Sequence, residues 1–129
     1  MINWNNMDTL AAYAELQSMK KVNVAAAMSG ENGAARVKAY TAPMGGKMDF
    51  NYGARPVDDE ILAVMQKFAD EQQLAEKFAE LYNGAVINTG EKRLVLHHLC
   101  RGQLGNDVIA DGVNKREFYV AQQKGFTAF

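Results

Sequence analysis

The chain has 129 residues, a formal net charge of −1 with both histidines neutral, and a single cysteine, Cys100. This length favours one compact domain that can bury a modest core without disulfides or a structural metal. The balanced charge argues against a nucleic-acid partner, and one cysteine excludes an internal disulfide framework. There is no signal-peptide pattern and no run near the roughly 18 apolar residues that cross a bilayer. We therefore expect a cytoplasmic protein with no membrane partner.

The first third of the chain carries weak signals of secondary structure. A helical stripe predicts a helix over Met7–Lys20, with Asp8 as its N-cap. Val22–Met28 fits a strand or a helix, and its three consecutive alanines favour a helix. Ser29–Gly33 is typical of a turn, and a second short helix is predicted over Ala34–Tyr40.

An extended segment is predicted next, because polar and apolar residues alternate over Lys47–Gly53. The sequence leaves open whether residues 1–48 are ordered without neighbouring polypeptide.

The centre of the chain predicts two helices. Asp58 is placed to cap the first, and Val57 and Leu62 have the spacing of a hydrophobic staple. A second apolar stripe over Leu74–Tyr82 ends at Gly84, a residue suited to a helix C-terminus.

Three further elements are predicted in the last third. A helix is expected to begin at Asn88, with Glu91 three residues later as in a capping box. Val108–Val113 predicts a small hairpin around an Asp-Gly turn. A final helix is expected over Lys115–Gln123 and to end at Gly125. The apolar residues after it fit either a docked tail or a chain cut from a longer one.

These elements predict a mostly α fold: one small helical domain over residues 1–129 with a short β-hairpin or strand element. The expected core is apolar and lies on the central and later helices: Ile61, Leu62, Met65, Phe68, Leu74, Phe78, Leu81, Val95, Leu96 and Leu99.

His97, His98 and Cys100 are the candidates for metal or nucleophilic chemistry. Adjacent helical histidines do not converge on one ion, and a closed ligand set is missing, so no metal is expected. We expect His97 to be partly buried and His98 to lie on the surface. Cys100 falls on the apolar face of the predicted helix, which favours a buried, inert thiol over a nucleophile.

Glu91 and Arg93 are candidates for recognising a sugar phosphate, but a cap and an ion pair explain them better. Neither glycine cluster, Gly30–Gly33 or Gly45–Gly46, has the spacing of a P-loop.

The segment from Asn88 to Arg101 resembles a signature of glucose-6-phosphate isomerases, written N-x-T-E-x-R-x-V-L-H-x-x-L-R. The matching positions are Asn88, Glu91, Arg93, Val95, Leu96, His97 and Arg101. Gly90 stands where threonine is usual. Asp49–Ala54 looks like the family's preceding D-Y-S-K-N segment, and Val108–Gly112 like its following hairpin.

The resemblance implies an amino-terminal portion of an α/β sugar-isomerase fold. That family interconverts glucose 6-phosphate and fructose 6-phosphate through an enediol and needs no metal or cofactor. Its parent enzymes are usually homodimers. Its phosphate-binding loop and its catalytic Glu, His and Lys follow the region matched here. The resemblance therefore assigns no catalytic, substrate-binding or metal residue to this chain, and it implies the remainder of the isomerase as partner.

Three hypotheses remain. The chain is a structural segment of an isomerase and inactive alone, or a self-sufficient helical interaction module, or a small hydrolase using Cys100. The hydrolase predicts rapid alkylation of the thiol at neutral pH.

Overall fold

A computed structural model describes residues 2–102 and 105–129, and the chain forms two compact units. Unit 2 is Asn5–Gln72, and unit 1 combines Met1–Trp4 with Gln73–Phe129. The described part of the chain is mostly helical with two small antiparallel strand pairs, which confirms the predicted fold class. None of its helices is long and apolar enough to cross a membrane.

Unit 2 contains four helices and one strand pair. The helices are α1 (Ala11–Ser18), α2 (Val24–Ala27), α3 (Gly30–Ala39) and α4 (Asp59–Glu71), and the strands are β1 (Thr41–Pro43) and β2 (Asp49–Asn51). The ambiguous alanine run is helical, and the alternating segment contributes a strand, as predicted. In the antiparallel register Ala42 lies opposite Phe50.

The first helix was predicted wrongly in its start and its cap. A 3₁₀ turn over Met7–Thr9 is followed by Leu10 in an extended conformation, and α1 begins only after it. Asp8 lies in the 3₁₀ turn, and Leu10 is the residue at the N-cap of α1. Extended backbone at Leu10 interrupts the helix that a continuous stripe predicted.

The turn predicted at Ser29–Gly33 is also wrong, because α3 begins at Gly30. Gly33 lets the end of α2 approach closely: a Cβ there would lie 2.4 Å from the Met28 carbonyl oxygen. The missing side chain permits a tight helix–helix connection rather than a loop.

Helices α1 and α4 form the core of unit 2. Asp58 caps α4 as predicted, accepting a hydrogen bond from the Ile61 amide at 2.9 Å. Ile61, Val64 and Ala12 are buried. The Ala12 amide donates to Glu71 Oε2 at 3.1 Å, which ties the start of α1 to the end of α4.

Arg36 holds the segment between β2 and α4 in place. Its guanidinium donates to the carbonyls of Gly53, Arg55 and Val57 at 2.6, 3.0 and 2.5 Å. The same group lies 4.3 Å from the ring centroid of Tyr40, a cation–π distance. One planar, five-donor group thus binds three carbonyls of the same segment.

Tyr40 continues this contact to the start of α4. Its hydroxyl donates to Asp59 Oδ1 at 2.9 Å. The hydrogen bond to this carboxylate favours the protonated phenol and raises the pKa of Tyr40.

Unit 1 contains α5 (Leu74–Tyr82), the hairpin of β3 (Ile109–Ala110) and β4 (Val113–Asn114), and α6 (Lys115–Thr127). The predicted Asp-Gly hairpin is confirmed, with Asp111 and Gly112 both at positive φ. Helix α6 continues through Gly125, so the predicted stop there is wrong. A glycine inside a helix costs only about 1 kcal/mol, which the remaining turns offset.

Gly84 ends α5 as predicted, at φ +79. The Ala85 amide returns to the Glu80 carbonyl at 2.9 Å, closing the helix. The position is also crowded: a Cβ on Gly84 would lie 2.3 Å from Cγ1 of the buried Val108.

The predicted core is correct in part. Ile61 and Leu99 are buried, but Met65, Leu74 and Phe78 are exposed, which contradicts the prediction. Their stripes have helical spacing, yet the described residues leave 44%, 56% and 58% of these three residues exposed. The other five predicted core residues are half-buried: Leu62, Phe68, Leu81, Val95 and Leu96.

Replacing Arg36 with lysine is expected to destabilise unit 2 by about 1–3 kcal/mol, because an ammonium cannot serve three separated carbonyls. Urea denaturation followed by circular dichroism measures the loss. Lys38→Arg, on the same helix and exposed, is the control and should change stability little. Equal effects of the two substitutions would contradict the role of Arg36.

Gly84→Ala is expected to destabilise unit 1 more than Gly112→Ala. Both positions have positive φ, so both variants incur about 1–2 kcal/mol of backbone strain. Only Gly84 also faces Val108, whereas no atom lies within 4 Å of a Cβ on Gly112. Overpacking should add about 1–3 kcal/mol, measured by the same denaturation experiment. Equal losses of stability in the two variants would show that the Val108 side chain moves aside at no energetic cost.

Candidate functional site

The signature segment begins with a compact turn. Asn88 Oδ1 accepts a hydrogen bond from the Glu91 amide at 3.1 Å, and Asn88 Nδ2 donates to Glu91 Oε2 at 3.2 Å. The Arg93 amide returns to the Asn88 carbonyl at 3.2 Å, forming an isolated antiparallel bridge. The predicted partnership of Asn88 and Glu91 exists, but it closes a turn.

The helix predicted to start at Asn88 is therefore wrong. Lys92 has φ +53, a left-handed conformation that a helix cannot accommodate, and it redirects the chain into the bridge. Helical structure begins only with a 3₁₀ turn over His97–Cys100. An Asn with a Glu three residues later satisfies the same local hydrogen bonds in a turn as in a helix start.

Glu91 and Arg93 form an ion pair on the outside of this turn. Arg93 Nε lies 3.9 Å from Glu91 Oε2, and the two side chains are 77% and 64% exposed. Such a pair contributes little to stability and holds no ligand geometry. A local structural role therefore explains Glu91 and Arg93 more simply than recognition of a sugar phosphate.

The two histidines are placed opposite to expectation. His98 is buried, at 6% exposure, and His97 is exposed. His98 Nε2 lies 3.1 Å from the Tyr82 carbonyl oxygen, and the two rings are 4.6 Å apart. Because the acceptor is a carbonyl, Nε2 carries the proton and donates it. The 3₁₀ turn directs His98 inward together with Leu99, whereas the predicted α-helix placed His98 on the surface and buried only Leu99 of these two.

Cys100 is exposed, which contradicts the expected burial. Its backbone carbonyl accepts a hydrogen bond from Gln123 Nε2 at 2.8 Å, which links the 3₁₀ turn to α6. Exposure permits alkylation but does not by itself make a nucleophile, which also needs a base and an oxyanion site. His98 has its Nε2 committed to Tyr82.

The described residues include no group of three or more His, Cys, Asp or Glu side chains that could hold a metal ion. Arg36 was not singled out from the sequence, and no local pattern marks it. Its role depends on carbonyls 17 to 21 residues away.

Uncovered apolar surface is the main feature of the described residues. Fifteen large hydrophobic side chains are exposed among them, whereas five hydrophobic residues are buried. The accessible surface is 9899 Å² for 14.2 kDa. Two independent domains of half that mass would together expose roughly 8,200 Å². Large exposed apolar patches are typical of contact surfaces rather than of free monomers.

A family profile for phosphoglucose isomerase matches residues 51–127, which is more than half of the chain. The chain belongs to the phosphoglucose isomerase family.

Similar proteins named glucose-6-phosphate isomerase occur in species of Treponema and Borreliella. The chain is 46% identical over 133 residues to the protein of Treponema denticola and 39% identical over 132 residues to that of Treponema pallidum strain Nichols. It is 35% identical over 124 residues to that of Borreliella burgdorferi strain B31. These alignments cover 99%, 99% and 95% of the chain but 25%, 25% and 23% of the relatives. The chain thus spans about a quarter of their length.

His98→Ala is expected to destabilise unit 1 by about 2–4 kcal/mol, because it removes a buried ring and leaves the Tyr82 carbonyl without its donor. His97→Ala, the adjacent exposed histidine, is the matched control and should change stability by less than about 0.5 kcal/mol. Chemical denaturation measures both. A larger loss of stability in His97→Ala than in His98→Ala would instead indicate that His97 is the buried histidine, as a regular helix predicted.

Proposed function

We propose that this chain is the amino-terminal supporting part of a glucose-6-phosphate isomerase. The whole protein would interconvert glucose 6-phosphate and fructose 6-phosphate in the cytoplasm, as a homodimer and without a metal or cofactor. Residues 1–129 would supply contact surface to the remaining polypeptide. They would supply no catalytic or substrate-binding side chain.

The observation that carries the proposal is the excess of exposed over buried large apolar side chains among the described residues. A self-sufficient interaction module would bury its own core and leave one bounded patch. Here exposed apolar side chains occur in both units, for example Phe50 in unit 2 and Phe78 in unit 1. A segment that packs into a larger protein has this distribution.

The chemistry points the same way. Moving a proton between C1 and C2 needs a base positioned within hydrogen-bond reach and donors that stabilise the enediolate. Glu91 is the only carboxylate in the turn that begins the signature segment, Asn88 to Arg93. Its side chain is exposed, accepts a hydrogen bond from Asn88 and lies close to Arg93. A base in that position faces water and its own turn, so it provides neither enclosure nor a poised lone pair.

The test is a coupled assay in both directions, with glucose 6-phosphate and with fructose 6-phosphate. The 129-residue chain alone should show no turnover, and the full-length protein that contains it should be active. Turnover by rigorously purified 129-residue material would refute the structural role. Inactivity of the folded full-length protein with both sugar phosphates would refute the proposed isomerase activity.

His97→Ala and Cys100→Ala in the full-length protein serve as controls for the two exposed candidate groups. Each should leave kcat/KM within about threefold of the parent, since neither would touch the sugar phosphate. A fall of a hundredfold with unchanged folding would assign the residue to the reaction.

A further inference from the structure

Among the described residues, β2 has an open outer edge in the two-stranded sheet of unit 2. The Tyr52 amide donates to the Tyr40 carbonyl and the Met44 amide to the Met48 carbonyl, both at 2.9 Å. Both contacts belong to hydrogen-bonded residue pairs of the ladder. Because hydrogen-bonded and non-hydrogen-bonded pairs alternate in an antiparallel ladder, Ala42 and Phe50, midway between the two, are also a hydrogen-bonded pair. The backbone groups of Asp49 and Asn51 must then point away from β1.

The other edge of the sheet is less suited to accept a strand. Its outward positions on β1 are Thr41 and Pro43, and proline has no amide to donate. On β2 all three residues are exposed, and no further strand pairs with it among the described residues. Proteins rarely leave such an edge uncovered, because it recruits other chains.

An apolar groove of about 300 Å³ adjoins this strand. Side chains alternate across a strand, so Phe50 and Tyr52 lie on one face of the sheet, where their rings stack at 5.9 Å. Helix α4 supplies the opposite wall, and the groove is lined by Phe50, Tyr52, Arg55, Val57, Leu62 and Met65. A strand added beside β2 would direct every second side chain onto this face.

We propose that an extended segment of the same isomerase polypeptide, lying outside these 129 residues, pairs with the outer edge of β2 and places apolar side chains in this groove. The inference rests on the proposed function, because about three quarters of the relatives' length lies outside the matched region. The Asp49 and Asn51 backbone groups bind it by main-chain hydrogen bonds, and alternate side chains give specificity.

Charge narrows the chemistry of the added strand. Arg55 lines the groove with an exposed side chain, and no carboxylate among the described residues forms an ion pair with it. The segment that fits has apolar residues two positions apart and an acidic residue at the end near Arg55.

Amide hydrogen exchange at single-residue resolution tests this in the full-length protein. The amides of Asp49 and Asn51 should exchange at least a hundredfold slower than free amides, as should Phe50, whose partner Ala42 lies within the sheet. Phe50 is therefore an internal control for folding. Slow exchange at Phe50 with free exchange at Asp49 and Asn51 overturns the proposal.

A pair of variants separates strand pairing from simple burial. Asp49→Pro removes the outward amide and obstructs the edge, whereas Asp49→Ala keeps the amide. We expect Asn51 to exchange at least tenfold faster in the proline variant than in the alanine variant. Equal exchange in the two variants overturns the proposal. So does protection that appears in the 129-residue chain and grows with its concentration, which would identify a second copy as the occupant.

The isomerase assay on the same full-length preparation keeps the two proposals distinguishable. An active enzyme with unprotected edge amides rejects the added strand and leaves the proposed function intact. An inactive protein with protected amides rejects the proposed function instead.

Discussion

The balance between polar anchoring and apolar burial governs this structure. Since few apolar side chains reach the interior, side chains that bond to the backbone carry much of the local order. Arg36 serves three carbonyls, Asp58 caps α4, and Asn114 accepts from two amides at the start of α6. A typical hydrogen bond contributes about 0.5–1.5 kcal/mol net, so such contacts define local conformation better than they supply global stability. The proposed contact with the remaining polypeptide would add the apolar burial that the described residues do not supply themselves.

The sequence predicted those elements whose signals and causes are both local. The cap at Asp58, the stop at Gly84 and the Asp-Gly hairpin each depend on one or two residues and their own backbone. Periodicity correctly predicted the two central helices, α4 and α5, but not what faces them. Leu74 and Phe78 have the spacing of a core stripe and are nonetheless exposed. A helical stripe identifies an apolar helix face, but it does not say what covers that face.

The signature segment was recognised correctly and its conformation was not. Resemblance identified the family because it compares residues in order, without needing their geometry. The local interpretation failed at Lys92, since positive φ at a lysine has no compositional signal. The same error exchanged the environments of His97 and His98 and placed Cys100 inside. Arg36 could not have been found from a window of sequence, because its partners lie on a separate loop.

The path of the chain has a kinetic consequence. Unit 2 is one continuous stretch of sequence. Unit 1 combines the few residues that precede unit 2 with the long stretch that follows it. The Asn3 amide meets Gln73 Oε1 at 2.8 Å, and Lys77 Nζ lies 5.3 Å from the Trp4 ring. The contact between Asn3 and Gln73 closes a loop over a sequence separation of 70 residues. Closing a flexible loop of that length costs about 4 kcal/mol of chain entropy. Prior folding of α1 against α4 shortens the loop, so the Trp4 contact should form last.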